Sequence, residues 1–449
     1  MVFGRFFKRD DDAGDADGVE GPPDADADDG ADESDVDHDD TVPPEGHRDV
    51  DVDLEWRDRA ADVIPGGAST GSKQPGALYG ADTRFGPTHY VRAAGCRVVT
   101  PGQRSLIDCS MALGAVTLGY ADEAVTQAVV QASTSGNIAG LSSFHEIEIA
   151  ERLCDAIPCA EQVRMMKSGA EAVAAAVRIA RTYTGRSHVV GSGYFGWSDW
   201  CTSAAGVPAA VSALYTAVPF DDVSALTAAC DRAGGDLAAI IIEPVVERLP
   251  STEWIAAARE LCTKLGAVLI FDEIKTGFRL RLGGYQEYAK VEPDLCTLGK
   301  AMSNGVPISA VAGRADVMQA ATRTWISSTL SADTIGLAAV GAVLDWFERA
   351  DVSEFLWKSG DDTRRAIARA IDAAGVTGVE VAGIPPMWFL RFGSAERESR
   401  FLELALDEGV LFKRGPYNFP SLAHEEETIA EIESAASRAF VTMVEEAEA

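Results

Sequence analysis

Short runs dominated by apolar residues, each closed by a charged or small residue, recur through the middle of the chain. They occupy residues 163–166, 189–191, 239–242 and 268–271. Runs of this kind are typical of strands that are buried on both faces of a parallel sheet. Amphipathic stretches before and between these runs predict helices from residue 122, over 147–156 and over 170–184. The pattern therefore predicts an α/β fold built around a mainly parallel sheet.

The two ends of the chain predict a smaller α/β domain. The N-terminal part predicts a helix over 54–64, an irregular loop over 65–75, and a hairpin with strands at 97–100 and 105–108. The C-terminal part predicts helices over 335–349, 355–374, 402–407 and from 425, with strands within 379–392 and over 409–412. We therefore divide the chain into a tail (1–52), a first part of the small domain (53–110), a large domain (111–345) and a C-terminal part of the small domain (346–449).

Charge sets the tail apart from the body. The whole chain carries 70 acidic and 39 basic residues, and residues 1–50 alone hold 18 acids and 4 bases. Such a segment has too few large apolar residues to fold, so a disordered acidic tail is expected. Only 9 of the bases are lysine, which favours adaptation to a saline cytoplasm over an ordinary acidic protein. A nucleic-acid partner is not expected at this charge.

The remaining composition favours a cytoplasmic location. No apolar run is long enough to span a membrane, and the opening residues are too short an apolar stretch for a secretory signal. An alternative is that this opening segment touches a membrane surface. The eight cysteines include no Cys-x-x-Cys pair. They are interpreted as buried thiols in a reducing compartment, and no metal site is expected.

The residues with candidate chemistry follow two of the apolar runs. Asp272 and Glu273 end the run at 268–271, and Lys300 follows Leu298-Gly299 in a glycine-flanked loop. In open α/β sheets, ligands bind at the carboxyl edge of the strands, where such residues emerge. An aspartate and a lysine placed in this way are what pyridoxal 5'-phosphate (PLP) requires. The lysine forms a Schiff base with its aldehyde, and the aspartate keeps its ring nitrogen protonated.

A longer segment carries a family resemblance. The text LIFDEIKTGFRLRLGGYQEYAKVEPDLCTLGKAMSNGVPISAVAGR resembles the class III (fold-type I) aminotransferases, and within them the glutamate-1-semialdehyde 2,1-aminomutase branch. The similarity runs from about Ile64 to the C-terminus. It implies a PLP enzyme with a seven-stranded-type, mainly parallel sheet in the large domain. It also implies a homodimer with shared active sites.

The resemblance implies a set of cofactor contacts. The turn at 168–170 precedes a helix whose free N–H groups can bind a phosphate, and the family uses Ser168, Gly169 and Ala170 there. The family also implies that Tyr194 stacks on one face of the pyridine ring and that Ile274 packs on the other. It implies that Glu243 points into the site near the cofactor, and that Thr329 of the neighbouring subunit completes the phosphate site. Two alternatives stay open. Glu243 is otherwise a salt-bridge partner outside the cofactor shell. Thr329 could cap the next helix, a role that is compatible with its also binding the phosphate.

Departures from the aminomutase pattern lie on the substrate side. Lys73 stands where that branch has an arginine for the substrate carboxylate, and it is otherwise a solvent-exposed loop residue. Phe195 and Trp197 stand where it has histidines. Both can be interpreted as core residues. The alternative for Trp197 is that it shapes a more apolar substrate pocket. Lys275 is a rival for the Schiff base, which we reject because Lys300 has the loop setting that the family uses.

These observations predict a class III aminotransferase that moves an amino group from an amino acid or amine to an oxo acid or aldehyde. An intramolecular aminomutase is the alternative within the family. A non-catalytic PLP-binding regulator is the alternative from another class, and the Lys300–Asp272 pair argues against it.

Overall fold

The computed structural model describes residues 50–81 and 83–448. The helices are α1 Val50–Val63, α2 Pro75–Tyr79, α3 Met111–Gly114, α4 Glu123–Thr134, α5 His145–Ala156, α6 Gly169–Thr184, α7 Ala209–Ser212, α8 Val223–Ala233, α9 Thr252–Leu265, α10 Tyr285–Ala289, α11 Ala315–Met318, α12 Thr334–Arg349, α13 Val352–Ala374, α14 Ala395–Asp407 and α15 Glu426–Glu448. The strands are β1 Arg92–Ala94, β2 Arg97–Val99, β3 Ser105–Asp108, β4 Gln162–Met166, β5 His188–Ser192, β6 Tyr215–Ala217, β7 Leu237–Ile242, β8 Val268–Asp272, β9 Leu295–Leu298, β10 Ser309–Gly313, β11 Val379–Ile384, β12 Met387–Phe392 and β13 Val410–Leu411.

A seven-stranded sheet forms the centre of the large domain. Its strand order is β4-β10-β9-β8-β7-β5-β6. Strand β10 runs antiparallel to both of its neighbours, and the pairs from β9 to β6 are parallel. Every residue of β7, β8 and β9 is buried, as expected for strands covered by helices on both faces. The predicted mainly parallel α/β sheet is confirmed.

Helix α6 shows why the local sequence folds as it does. The Ser168 hydroxyl accepts a hydrogen bond from the Glu171 N–H, and the Glu171 carboxylate accepts from the Ser168 N–H. This capping box fixes the start of the helix. The helix ends at Gly185, whose φ of 70° is in the left-handed region that glycine adopts without strain. The predicted turn and helix at 168–184 are confirmed.

The two ends of the chain meet in a second, smaller sheet with the order β1-β2-β3-β13. Strands β2 and β3 form the predicted antiparallel hairpin, and β13 from the C-terminal part pairs in parallel with β3. A separate hairpin, β11–β12, turns at Pro385-Pro386 as predicted. The N- and C-terminal segments therefore share one α/β layer, as the fold class predicts. The exact domain boundaries stay a prediction.

Some local predictions need correction. The loop over 65–75 is not wholly irregular, because it contains 3₁₀ turns at Pro65–Gly67 and Gly71–Lys73 and the start of α2. Helix α1 begins at Val50 rather than at residue 54. The rest of the predicted disordered tail, residues 1–49, lies outside the described residues.

The sequence also makes predictions about membrane-spanning helices, cysteines and metal ligands. None of its helices is both long and apolar enough to cross a membrane. All eight cysteines are free thiols; six are buried, whereas Cys154 and Cys201 are half-buried. No cluster of potential metal ligands occurs among the described residues.

Candidate active site

Three adjacent parallel strands bring the candidate residues together. Ile242 at the end of β7 pairs with Phe271 in β8, which places Glu243 beside Asp272. Asp272 in turn pairs with Thr297 in β9, three residues before Lys300. Neighbouring strands lie about 4.8 Å apart, so the three strand ends form one compact edge. The juxtaposition of Asp272 and Lys300 expected from the sequence is present in the structure.

Asp272 is held by one carboxylate oxygen only. Its Oδ1 accepts hydrogen bonds from the Ile274 N–H at 3.1 Å and the Thr297 hydroxyl at 2.9 Å. No described residue donates to Oδ2, although the side chain is buried. Burial, and secondarily the nearby charge of Glu243, raise the pKa of Asp272 to about 7. The carboxyl group is therefore fixed in orientation, with one oxygen left for a charged donor.

Lys300 stands at the start of a short 3₁₀ turn, Lys300–Ser303. Its φ of 49° is unusual for a residue with a side chain. Within the described residues, its ammonium makes no hydrogen bond and no ion pair. Burial lowers the pKa of this amine, and the like charge of Lys275 lowers it further. Both effects favour the uncharged form of the amine, which is the form that reacts with an aldehyde.

The rival lysine is engaged elsewhere. The Lys275 ammonium forms an ion pair with the Glu243 carboxylate and lies 4.4 Å from the centre of the Tyr417 ring. Glu243 also accepts a hydrogen bond from the Tyr194 N–H at 2.9 Å. Of the two interpretations of Glu243, the geometry favours the salt-bridge partner. It also separates the two lysines, because only Lys300 lacks a partner.

The start of α6 lies directly beside this edge. A Cβ atom on Gly169 would lie 3.3 Å from the Ile274 side chain, which also approaches Gly299. The N–H groups of Gly169 and Ala170 have no acceptor among the described residues, whereas the Ser168 N–H is occupied by Glu171. The loop at Gly196 packs closely on Ala170. A Cβ atom on Gly196 would lie only 2.8 Å from the Cβ atom of Ala170. This is a tight backbone cradle of the type that binds phosphate.

The outer predicted residues are all exposed. Tyr194 and Trp197 are 74% and 80% exposed, and Lys73 and Thr329 are also exposed. The interpretation of Trp197 as a core residue is wrong, since its ring faces solvent, whereas Phe195 does belong to the core. No ion pair joins Lys73 to another described residue. Of these residues, Tyr194 is joined to the site by the hydrogen bond from its N–H to Glu243, and Trp197 follows Gly196 in the loop that packs on Ala170.

Thr329 does not cap the following helix. That role belongs to Asp333, whose carboxylate accepts from the Gly336 N–H at 3.1 Å. Asp333 also pairs with Lys167. The alternative of a local cap at Thr329 is therefore excluded by the observed geometry.

Sequence reasoning missed two residues that support the site. Thr297 orients Asp272, and its signal is a lone polar residue within an otherwise apolar strand. Arg279 is fully buried and donates to the carbonyl groups of Gly114, Pro386 and Pro420. Burial lowers its pKa to about 9. It joins three segments distant in sequence, which no local pattern shows.

The residues present fit PLP. The free Oδ2 of Asp272 suits a protonated ring nitrogen, the unpaired amine of Lys300 suits an aldehyde, and the two free N–H groups at the α6 N-terminus suit a phosphate. Each of these groups otherwise lacks a partner among the described residues, although burying an unsatisfied polar group is unfavourable.

Comparisons with known proteins agree with this fit. A sequence model of the family described as aminotransferase class-III matches residues 79–440. Glutamate-1-semialdehyde 2,1-aminomutases are similar over most of the chain. The one from Polynucleobacter asymbioticus is 30% identical, covering 85% of this chain and 96% of its own. The one from Pyrobaculum neutrophilum is 34% identical, covering 86% and 98%.

Solved structures show the same fold. The FumI protein of Sphingopyxis sp. MTA144, in its PLP internal aldimine form, superposes with a TM-score of 0.83 at 25% identity, covering 89% of this chain and 98% of FumI. A transaminase with PLP bound superposes with a TM-score of 0.81 at 27% identity, covering 89% and 99%. The chain belongs to the class III aminotransferases and is a PLP-dependent enzyme, an aminotransferase or aminomutase.

Proposed function

We propose that the enzyme transfers an amino group between two molecules, from an amino acid or amine to an oxo acid or aldehyde, with Lys300 as the point of covalent attachment for PLP. One observation carries this proposal. Asp272 and Lys300 meet at the strand ends, each with one polar atom that no described residue engages. A site that served only to hold the fold together would pair these two groups with each other.

The residues divide the chemistry among themselves. When bound, PLP supplies an aldehyde and a ring that accepts electrons from the carbon losing its proton. Asp272 holds the positive charge of the ring nitrogen through Oδ2. Lys300 accepts the substrate proton and returns it at another carbon, and its lowered pKa increases the uncharged fraction that can act as a base.

The surrounding residues bind and orient the cofactor. At the α6 N-terminus the free N–H groups of Gly169 and Ala170 hold its phosphate, and Ser168 contributes through its hydroxyl because its N–H is bound to Glu171. Ile274 and Tyr194 flank the ring, which requires Tyr194 to turn inward from its exposed position. Glu243 acts through its ion pair with Lys275 rather than by direct contact.

The substrate side favours transfer between two molecules. Lys73 lacks the planar fork with which arginine binds a carboxylate, and the exposed indole of Trp197 offers an apolar surface beside the loop that packs on α6. Intramolecular amino transfer is the second candidate, because the relatives named above are aminomutases.

An absorbance experiment separates the two candidates. The PLP-loaded protein is mixed with single amino acids or amines, and its visible spectrum is recorded before and after addition of an oxo acid. A donor that bleaches the visible band, with recovery on adding an oxo acid, establishes transfer between molecules. If no donor bleaches it and one amino aldehyde is isomerised without an acceptor, the reaction is intramolecular.

We propose that the enzyme is a homodimer with shared sites. Thr329 is exposed and unpartnered among the described residues, as a residue that completes a neighbour's phosphate site would be. Large apolar side chains are exposed nearby, including Leu141, Phe144 and Leu330. Leu141 and Phe144 line a cavity of about 1370 Å³ between α4, α5 and α12, and Thr329 lies in the same lining. Exposed apolar surface of this kind marks a protein interface.

Subunit mixing tests the shared site. Lys300→Ala and Thr329→Val homodimers are each expected to have low activity. A mixed dimer combines both lesions in one site and leaves the other site intact, so activity should recover on mixing. Recovery that fails although mixed dimers form, as measured by mass, contradicts sharing at Thr329.

We also propose a reducing, saline cytoplasm as the working environment. The thiols are all free, and the excess of acids over bases repels itself at low ionic strength. The temperature of half-denaturation is therefore expected to rise with KCl concentration. A midpoint that is the same in dilute buffer and in strong KCl contradicts the salt adaptation.

A further inference from the structure

Asn304 ends the short turn that begins at Lys300. Both residues have left-handed backbone conformations, with φ of 49° at Lys300 and 48° at Asn304. A lysine rarely adopts this conformation, whereas asparagine tolerates it better than most residues with side chains. The Asn304 N–H closes the turn by donating to the Ala301 carbonyl. The turn that presents the Lys300 amine is therefore strained at its first residue, and contacts from outside the turn must hold it.

The Asn304 side chain supplies such a contact. Its Oδ1 accepts a hydrogen bond from the Leu118 N–H at 3.0 Å, and its Nδ2 donates to the Gly119 carbonyl at 2.9 Å. Asn304 is only 8% exposed, so water competes little for these two bonds. One side-chain amide thus binds two backbone groups of the same segment. We call this pair of hydrogen bonds the amide clamp.

The segment that the amide clamp binds, residues 116–120, is itself anchored to the small sheet. Tyr120 exchanges two backbone hydrogen bonds with Gly95, which lies in the turn between β1 and β2. The Tyr120 hydroxyl also donates to Asp108 at the end of β3, at 2.6 Å. The amide clamp therefore ties the Lys300 turn to a support that is fixed by other contacts.

Packing limits movement in the opposite direction. Gly305 approaches the same segment so closely that a Cβ atom on it would lie 2.9 Å from Val116 Cγ1. The Ser303 hydroxyl donates to the Val306 carbonyl at 2.6 Å, which fixes the chain where it leaves the turn. The turn cannot move closer to residues 116–120, and the amide clamp keeps it from moving away.

We propose that Asn304 is a positioning residue, whose amide clamp holds the turn in the conformation that directs the Lys300 amine toward the cofactor. The inference rests on the proposed role of Lys300 as the cofactor lysine. It adds a residue that acts on this lysine through the backbone of its turn, and not on the other contacts of the cofactor.

Asn304→Gly removes the amide clamp without adding backbone strain, because glycine adopts left-handed φ freely. Covalent attachment of PLP to Lys300 should slow on the order of tenfold, as expected when neutral hydrogen bonds are lost. Lys290→Gly is the matched control. Lys290 ends α10 with a similar φ of 55° and is exposed, so its replacement should leave the attachment rate unchanged.

Trapping with borohydride measures the attachment rate. Saturating PLP is mixed with the full-length protein freed of cofactor, and samples are reduced at successive times. The PLP fixed at Lys300 is then quantified by peptide mass spectrometry. Because PLP is saturating, the rate reports the step that follows binding. An attachment rate in Asn304→Gly equal to that of the parent overturns the proposal.

A Lys300→Ala background separates positioning from a general structural role. Without the lysine, PLP is bound only by the other contacts of its site. Adding Asn304→Gly should then leave the dissociation constant of PLP unchanged in a fluorescence titration. A structural role would weaken PLP binding in this background as well, and that result overturns the proposal.

A second variant keeps the test decisive should Asn304→Gly fail to fold. Asn304→Asp can still accept from the Leu118 N–H but cannot donate to the Gly119 carbonyl. It takes the place of the glycine variant in both measurements, with the same expected results and the same contradicting ones.

The proposed function and the role of Asn304 fail in different ways. If the parent protein attaches no PLP at Lys300, the proposed function itself is refuted. If the parent attaches PLP there and Asn304→Gly does so at the same rate, only the role of Asn304 is refuted.

Discussion

Replacing Asp272 with asparagine should stabilise the cofactor-free protein above neutral pH while it abolishes catalysis. The asparagine Oδ1 can still accept from the Ile274 N–H and the Thr297 hydroxyl, so the hydrogen bonds survive. What disappears is a buried negative charge that no described donor compensates at Oδ2. Without its carboxylate, the site cannot hold a protonated ring nitrogen, and proton abstraction should fall by several orders of magnitude.

The size of the stabilisation follows from the pKa. Burial raises the pKa of Asp272 from 3.8 to about 7. Each unit corresponds to about 1.4 kcal/mol, so ionising this group in the folded protein costs at most about 4 kcal/mol. Because Glu243 shares in the shift, we expect a gain of about 1–4 kcal/mol.

The sign determines the pH window. The pKa of Asp272 is raised in the folded protein, so ionising this group destabilises the fold. This destabilisation is absent below pH 3.8 and fully present above about pH 7. The difference in free energy of unfolding between variant and parent should therefore increase across this pH interval and remain constant at higher pH. Titrating groups that do not interact with Asp272 are common to both proteins and cancel in the difference.

Denaturation of the cofactor-free proteins over a pH series measures this difference. Asp231→Asn, the same chemical change at an exposed position in α8, is the control and should show no such window. The reasoning is refuted if the Asp272→Asn protein is no more stable than the parent above neutral pH, or if the difference does not depend on pH.

Three further predictions concern the cofactor cradle and the packing of the small domain. Gly196→Ala should weaken PLP binding, because the new methyl group collides with the start of α6. Gly206→Ala is the control, because its backbone strain is similar but the space around it is open. Equal PLP affinities of the two variants in a fluorescence titration would contradict this. Thr329→Val should weaken PLP binding roughly tenfold or more, the value of a hydrogen bond to a charged group, and unchanged affinity would contradict its proposed role. Gly360→Ala should lower the free energy of unfolding by about 1–3 kcal/mol, since its Cβ atom overlaps the carbonyl of the β11–β12 turn; an unchanged denaturation midpoint would contradict this packing.

The sequence predicts the large-domain sheet well because its signals are local. The apolar runs of β7 and β8 have no polar alternation, which only a strand buried on both faces tolerates. Helix α6 carries a capping box at Ser168 and a terminal glycine at Gly185. Asp272 and Lys300 could be predicted since strand ends of a parallel sheet converge on one edge.

The charge arrangement could not be predicted in the same way. The Lys275–Glu243 pair depends on the register of β7 against β8, and Arg279 joins segments more than 100 residues apart. Backbone strain is also hidden, because Ala112 and Leu113 adopt positive φ although neither is glycine. Tertiary packing overrides the local preference at these positions.

The central claim is that Lys300, and not Lys275, carries the cofactor. Borohydride reduction of the PLP-loaded protein, followed by peptide mass spectrometry, fixes PLP to the lysine that holds it and reads the position directly. The account predicts the modification on Lys300 in the parent, its presence there in Lys275→Ala, and its loss from the protein in Lys300→Ala. Modification of Lys275 in the parent, or of no lysine in the described part of the chain, would contradict the assignment on which the proposed function depends.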